Sequence, residues 1–319
     1  MSTPGTARHA NGELEEERFR AIYRTLHADH ATCLDDEWLN GPCADRNGIP
    51  LGRPWVWSRR NGPWRRVPML WVGAAPGNAG GRGRGNLGAH GTRIPFGGDV
   101  SGANLEVLLG SIGMDRNRTF IVAALNRLPD RGGGEPTARE IREPAGGFPD
   151  SIALLRDTLV ACGPALVVAL GNVAARALAA AWLRPPGDAG MPSLAVLGRR
   201  GWSRNERVGG LSRLGDPSPA LHEAWTAAWG ADPAPDAVWL THPSAQNMSP
   251  FAGEDTAFHR RMLEARDALR RAARATLGIR PPARRPPLPQ DGVYALPEWR
   301  EAILPRLNTM DGLWRRRGV

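Results

Sequence analysis

A histidine and a carboxylate, His242 and Asp99, stand in polar loops that follow short apolar runs. His242 opens His242-Pro243-Ser244-Ala245-Gln246-Asn247 directly after Ala237-Val238-Trp239-Leu240-Thr241. Asp99 lies in Ile94-Pro95-Phe96-Gly97-Gly98-Asp99-Val100-Ser101-Gly102, downstream of Pro68-Met69-Leu70-Trp71-Val72-Gly73-Ala74-Ala75-Pro76-Gly77. An imidazole can donate to an oxygen that gains negative charge, and a carboxylate can orient water. Each residue also has a plainer reading. His242 can simply close its loop, and Asp99 or Ser101 can cap the helix that Asn104-Leu105-Glu106-Val107-Leu108-Leu109 begins. Strands that break into Gly and Pro put bare backbone at the carboxyl edge of a sheet, where open α/β folds hold ligands. The two loops are therefore expected to build one site.

The elements that position them follow from hydrophobic patterning. Met69 to Gly73 is the first strand, and Arg118-Thr119-Phe120-Ile121-Val122-Ala123-Ala124-Leu125 contains the second. Ala165-Leu166-Val167-Val168-Ala169-Leu170 is a continuous apolar run, as a strand buried on both faces requires. The fourth strand is the run before His242. Helices are expected near Pro136 to Glu140, over Asp150 to Ala161, over the alanine-rich Asn172 to Leu183, and over the Arg-rich Asp255 to Leu277. Strands separated by helices predict an α/β fold, a four-stranded parallel sheet flanked by helices in three layers.

Around this core of residues 68–280 lie less regular parts. Residues 1–67 hold a charged helix and a stretch, Arg53 to Arg66, in which tryptophans alternate with arginines. That stretch reads as a ribbon with its tryptophans inward, or as a phosphate-contacting hairpin. Residues 184–236 form a loop-rich insertion with one helix around Leu221 to Trp229 and a basic tip at Arg199 to Arg204. Residues 281–319 begin with the stiff, basic Pro281 to Pro287 and hold a short helix near Glu298 to Leu304.

Composition narrows the partners. A net charge of +9 suits a polyanion, although an Arg-rich, lysine-free composition also follows from GC-rich coding. Cys33, Cys43 and Cys162 are too few and too scattered for a disulfide framework. No long apolar run or secretory segment appears, so the cytoplasm is expected and a membrane partner is not. The glycine loop Asn78 to Gly91 carries Arg82 and Arg84, but it lacks Gly-x-x-x-x-Gly-Lys-Ser, so no nucleotide cofactor is expected.

Gly-x-Ala-Pro-Gly, then Pro-Phe-x-Gly-Asp-x-Ser-Gly, then His-Pro-Ser-x-Gln-Asn, in this order, resembles the uracil-DNA glycosylase superfamily. The likeness spans roughly Pro68 to Leu277 and is nearest the broad-specificity family 5 branch. It implies a uracil-DNA-glycosylase-like three-layer fold and a DNA substrate, duplex with a flipped base or single-stranded. It also implies roles for residues. His242 would donate to the leaving base and Asp99 would orient water. Phe96 would stack under the base, though an isolated Phe is more often core. Pro243 and Ser244 would press into the duplex, and Arg82 and Arg84 would contact phosphate. His90, Asn78 and Asn86 stand in reserve. Relatives in families 4 and 5 carry an iron–sulfur cluster on four cysteines; this chain has three, so no cluster, metal or other cofactor is expected. Without lysine there is no internal amine for Schiff-base strand cleavage, so lyase activity is not expected.

The departures from the resemblance concern base selection. Ala75 stands where mitochondrial-type relatives place an Asp. Gly77 stands where uracil-specific ones place a Tyr against C5, and Ala123 where they place an Asn that reads the pyrimidine edge. Asn126, Gln246 and Asn247 are the available replacements. Losing a hydrogen-bonding reader relaxes selection, because the remaining apolar differences are worth only ~1–3 kcal/mol. The expectation is a monomeric, monofunctional glycosylase acting on uracil or on bulky modified pyrimidines such as phage DNA carries. The alternative is a catalytically silent DNA-binding protein on the same fold.

Overall fold

The structure is a computed structural model that describes residues 67–75, 96–97, 99–125, 129, 135–143, 150–183, 191–200, 202, 211–214, 217–230, 234–244, 246–248, 256–290, 292–295 and 297–308. The N-terminal helix, the tryptophan–arginine stretch and the glycine loop with Arg82, Arg84 and His90 lie outside the described residues.

Four strands run parallel: β1 (Met69–Gly73), β2 (Phe120–Ala123), β3 (Leu166–Leu170) and, last in the chain, β5 (Asp236–Leu240). Their order is β2-β1-β3-β5, with Gly73 level with Ala123 and Leu170 level with Leu240. A short β4 (Leu211–Arg213), contributed by the insertion, adds an antiparallel fifth strand outside β5. That strand extends the expected four. Its composition gives no apolar alternation, and its pairing comes from the neighbouring backbone edge.

The helices divide between the two faces of the sheet, and alternation along the strands follows them. Leu70, Val72, Phe120, Val122, Val167, Ala169, Ala237 and Trp239 point to one side. There they meet α3 (Ser151–Cys162), α4 (Gly171–Trp182), α5 (Leu194–Arg199) and α6 (Pro219–Trp229). Met69, Trp71, Ile121, Leu166, Val168, Leu170, Val238 and Leu240 point to the other side, against α1 (Val100–Ser111) and α7 (Ala257–Leu277). Every residue of β1 and β3 is buried, as the unbroken apolar runs require for central parallel strands. Each large apolar side chain taken from water contributes about 1.5–3 kcal/mol, so these two faces carry most of the favourable folding energy.

Local signals bound the helices. The short α2 (Ala138–Arg142) has a full capping box between Thr137 and Glu140. α3 starts on the Asp150 side chain and stops at Gly163, which takes the left-handed conformation. α7 starts on Thr256, ends at Gly278, and buries Met262, Ala265, Ala268, Leu269, Ala272 and Ala273 along one stripe. Among the described residues no helix is long and apolar enough to cross a membrane. Cys162 is buried in the core at the end of α3.

Two stretches pack more closely than their composition suggests. Trp202, at the centre of the basic tip, is buried in the core, and its backbone N–H donates to the Leu197 carbonyl at 2.9 Å. After α7 the proline-rich chain runs along α1, with Pro282 against Gly113 and the Arg285 side chain against Gly110. It continues into a 3₁₀ turn (Gly292–Ala295) and α8 (Pro297–Ala302). Tyr294, Trp299, Ile303 and Leu307 are buried with α1 and α7. Polar composition marks this stretch as a spacer, but its few large apolar residues anchor it to the sheet's second layer.

Gly163 shows how tightly the first layer is packed. A Cβ there would lie 2.1 Å from a ring carbon of Trp229, whose indole N–H donates to the Val160 carbonyl. Gly163→Ala should therefore lower stability by about 1–3 kcal/mol, read as a reduced urea midpoint at unchanged slope.

Candidate active site

The loops after β1, β3 and β5 meet at the carboxyl edge of the sheet, beside the first turn of α1. Strand order reverses there: β1 is followed by its neighbour on one side and then by β3 on the other. Such a switch point leaves a crevice between adjacent strand ends. The site is built around it.

Phe96 reaches the crevice by an unusual backbone. Its φ of 54° puts it in the left-handed region, which for a bulky residue is kept only when neighbours enforce it. Its ring lies over Gly73 at the end of β1, where even a methyl group would sit 3.0 Å from the ring. Its carbonyl points at α1, where a Cβ on Gly102 would come within 2.0 Å of the oxygen. On the other side that carbonyl accepts a hydrogen bond from the Arg116 guanidinium at 2.8 Å. Gly73 and Gly102 are thus required for close approach.

His242 follows β5 and faces Phe96, with ring centroids 5.8 Å apart and planes inclined at 40°. It is half-buried. The Ser244 N–H donates to His242 Nδ1 at 3.2 Å, so Nδ1 is the acceptor. In the neutral ring the proton then sits on Nε2, which is left to donate. Burial pushes the imidazole below its ordinary pKa, and the opposing attraction of Asp99 does not cancel this. Gly171, at φ 88° on the first residue of α4, leaves room for the histidine: a Cβ there would lie 3.1 Å from that of His242.

Asp99 caps α1. One carboxylate oxygen accepts from the Gly102 N–H at 3.1 Å and the other from the Ser101 hydroxyl at 3.1 Å. Capping does not exhaust it, because an ionised carboxylate has about four acceptor positions. Asp99 is half-exposed, and its charge is felt at His242. The carboxylate at the helix amino end is therefore near enough to the imidazole to act on it electrostatically.

The remaining sequence expectations divide. Ala75 is half-buried at the end of β1, and Ala123 ends β2 level with Gly73. Ala75 packs against the first layer of the core, and neither residue carries a polar atom beyond the backbone. Asn247 turns back into its own loop, donating from its side-chain amide to Ser244 Oγ at 2.9 Å. Gln246 is exposed. Pro243 is buried, and the Ser244 carbonyl accepts from both Asn247 N–H and Met248 N–H at 2.9 Å, closing a turn. Gly77, Asn126, Arg82 and Arg84 lie outside the described residues.

Sequence reasoning missed the residues that hold the loops in place. Asn104, fully buried in α1, donates its amide to the Pro243 carbonyl at 2.7 Å and to the Met248 carbonyl at 3.3 Å. It ties the histidine loop to the helix that Asp99 caps. The signal was available: an amide in the middle of an apolar helix needs a partner. Glu106 of the same helix pairs with Arg116, both buried, and the Tyr294 hydroxyl completes the group. A glutamate inside an otherwise apolar helix is a similar signal, but nothing in the spacing names its partners.

The arrangement offers an aromatic platform, a neutral imidazole whose Nε2–H has no partner among the described residues, and a carboxylate beside a helix amino end. It provides stacking for a planar group, a donor for a developing anion and an acceptor for water. No curated protein matches the chain. The family model for the uracil DNA glycosylase superfamily matches residues 61–268, a span containing β1 to β5, Phe96, Asp99 and His242. With fold, motif order and match in agreement, the chain belongs to the uracil DNA glycosylase superfamily.

Proposed function

We propose that this protein is a monofunctional DNA glycosylase that extrudes a damaged or modified pyrimidine, hydrolyses its N-glycosidic bond and leaves an abasic site. The observation that carries the reading is the facing of Phe96 and His242 across 5.8 Å, with His242 Nδ1 taken by the Ser244 N–H and Nε2–H left to donate. The extruded base stacks on Phe96. As the C1′–N bond breaks, its electron pair passes to the base, and the His242 N–H stabilises the charge that gathers on the base oxygen. Water, oriented by Asp99, adds to C1′, and the proton it loses ends on the departing base anion, while the carboxylate balances the sugar's positive charge. Every group in this scheme belongs to the chain.

Substrate breadth follows from the residue types at the positions where relatives read the base. Ala123 and Ala75 have no side-chain hydrogen-bonding group to offer a base edge, and Gly77, outside the described residues, has no side chain to set against C5. A site built this way admits uracil and also 5-substituted pyrimidines, including the bulky glucosylated bases of phage DNA, where the activity would serve defence. The test is a panel of duplexes carrying uracil, hydroxymethyl and glucosylated hydroxymethyl pyrimidines, assayed for alkali-labile abasic sites. Cleavage of at least one is expected, with strand breaks only after alkali because the chain has no lysine for Schiff-base chemistry. DNA binding without any excised base would favour the silent DNA-binding alternative instead.

His242→Ala should keep DNA affinity and lower single-turnover excision by ~10²–10³, the scale of losing one anion donor. Asp99→Asn separates capping from catalysis, since Asn caps as well as Asp. A strong loss of rate at unchanged thermal midpoint assigns Asp99 to the reaction; an unchanged rate leaves it a cap.

The pH dependence has a definite sign. Burial lowers the His242 pKa, so the neutral donor persists to more acidic pH than for an ordinary histidine near ~6.5. Excision should therefore stay constant through neutral pH and fall only below that value, as the ring gains a proton. Because the Asp99 charge raises the His242 pKa, Asp99→Asn should move the acidic limb to still lower pH. A limb that moves upward would contradict the pairing.

A further inference from the structure

We propose that Tyr294, acting through Glu106 and Arg116, is a positioning residue for Phe96, so that the segment after α7 completes the active site. The inference rests on the reading of Phe96 as the surface under the extruded base. Its left-handed backbone persists because the carbonyl is wedged between Gly102 and the Arg116 guanidinium. Arg116 is in turn held through both its side chain and its backbone. Its Nε pairs with Glu106, and its backbone N–H donates to the Tyr294 hydroxyl oxygen at 2.8 Å. That hydroxyl donates to the second Glu106 oxygen at 3.1 Å.

The four groups form one connected, largely buried set. Arg116 and Glu106 are both almost fully removed from water, where a misplaced charge is strongly penalised, so the guanidinium has little freedom once Glu106 is oriented. Tyr294 orients Glu106. Burial first, and then the Glu106 charge, push the phenol well above its ordinary pKa, so it remains a donor. Trp299 packs edge-on against the Tyr294 ring at 4.8 Å, and Ile303 Cδ1 sits 2.7 Å from where a Cβ on Gly102 would be. Tyr294, Trp299 and Ile303 all lie beyond residue 268, where the family match ends. An element outside the matched span therefore sets the conformation of a residue inside the site.

Two conservative variants test this in the full-length protein. Tyr294→Phe removes only the hydroxyl and keeps the ring on Trp299. Arg116→Lys keeps the charge beside Glu106 but lacks the second nitrogen that reaches the Phe96 carbonyl. Protein labelled with fluorophenylalanine gives signals from its six Phe residues, and Phe96→Leu identifies the one of interest. Both variants should shift or broaden the Phe96 signal and slow single-turnover excision by about 10–100-fold, the effect of misplacing a site group by roughly an ångström. Affinity for a duplex with an abasic site should be unchanged. A lower thermal midpoint with an unmoved Phe96 signal and an unchanged rate marks a merely structural bond and overturns the proposal. A slowed rate with an unmoved signal overturns it too, because the effect then travels by another route. If one variant does not fold, the other decides. If Phe96→Leu excises at the wild-type rate, the stacking reading fails, and the Phe96 signal alone decides whether Tyr294 and Arg116 position that residue.

Discussion

The first turn of α1 touches both loops of the site at once, and the geometry of the crevice depends on that double contact. Gly102 lets the helix come against the Phe96 carbonyl, while Asn104 two residues on takes the Pro243 and Met248 carbonyls. Asp99, the cap of the same turn, is felt electrostatically at His242. A side chain at residue 102, or a shorter polar group at residue 104, would part the loops. The interaction is short-range and buried, where an unpaired polar group costs about 1–3 kcal/mol, so the arrangement is held by penalty as much as by attraction.

Electrostatics at the site are a balance between two opposed effects on one ring. Removing an imidazole from water disfavours its charged form, and a nearby carboxylate favours it. Here burial outweighs Asp99, and the ring stays neutral. The Ser244 N–H then selects the tautomer, because a backbone N–H can only donate. Neutrality and tautomer together decide what the histidine offers a ligand: a donor on Nε2 rather than a proton held as a cation. Asp99 is constrained differently, since the helix end and Ser101 already occupy part of its acceptor capacity.

The second layer behind α1 resolves an apparent mismatch in the chain. A glutamate and an arginine at the centre of an apolar layer would be destabilising if either stood alone, and pairing offsets only part of the desolvation. The group is tolerated because the Tyr294 hydroxyl and the Phe96 carbonyl add hydrogen bonds to the pair. Residues separated by nearly two hundred positions thereby share one polar cluster, and the stretch after α7 becomes part of the body of the protein.

The strands, the helices around them and the two motif loops were legible in the sequence, because apolar runs, caps and Gly-Pro breaks are local signals with local causes. Motif order alone also singled out Phe96, Asp99 and His242, and the capping role of Asp99 followed from its place before Val100. Three things came only from the tertiary structure. The edge strand β4 forms because a backbone edge was open beside β5, not because Leu211 to Arg213 carries a strand pattern. The packing of Tyr294, Trp299 and Ile303 on α1 depends on contacts between residues far apart in the chain, which a proline-rich, basic composition conceals. The neutrality and tautomer of His242 depend on burial and on the direction of one N–H, and neither is a property of residue type. Periodicity reports which face of an element is buried; only the folded chain determines which distant group that face meets.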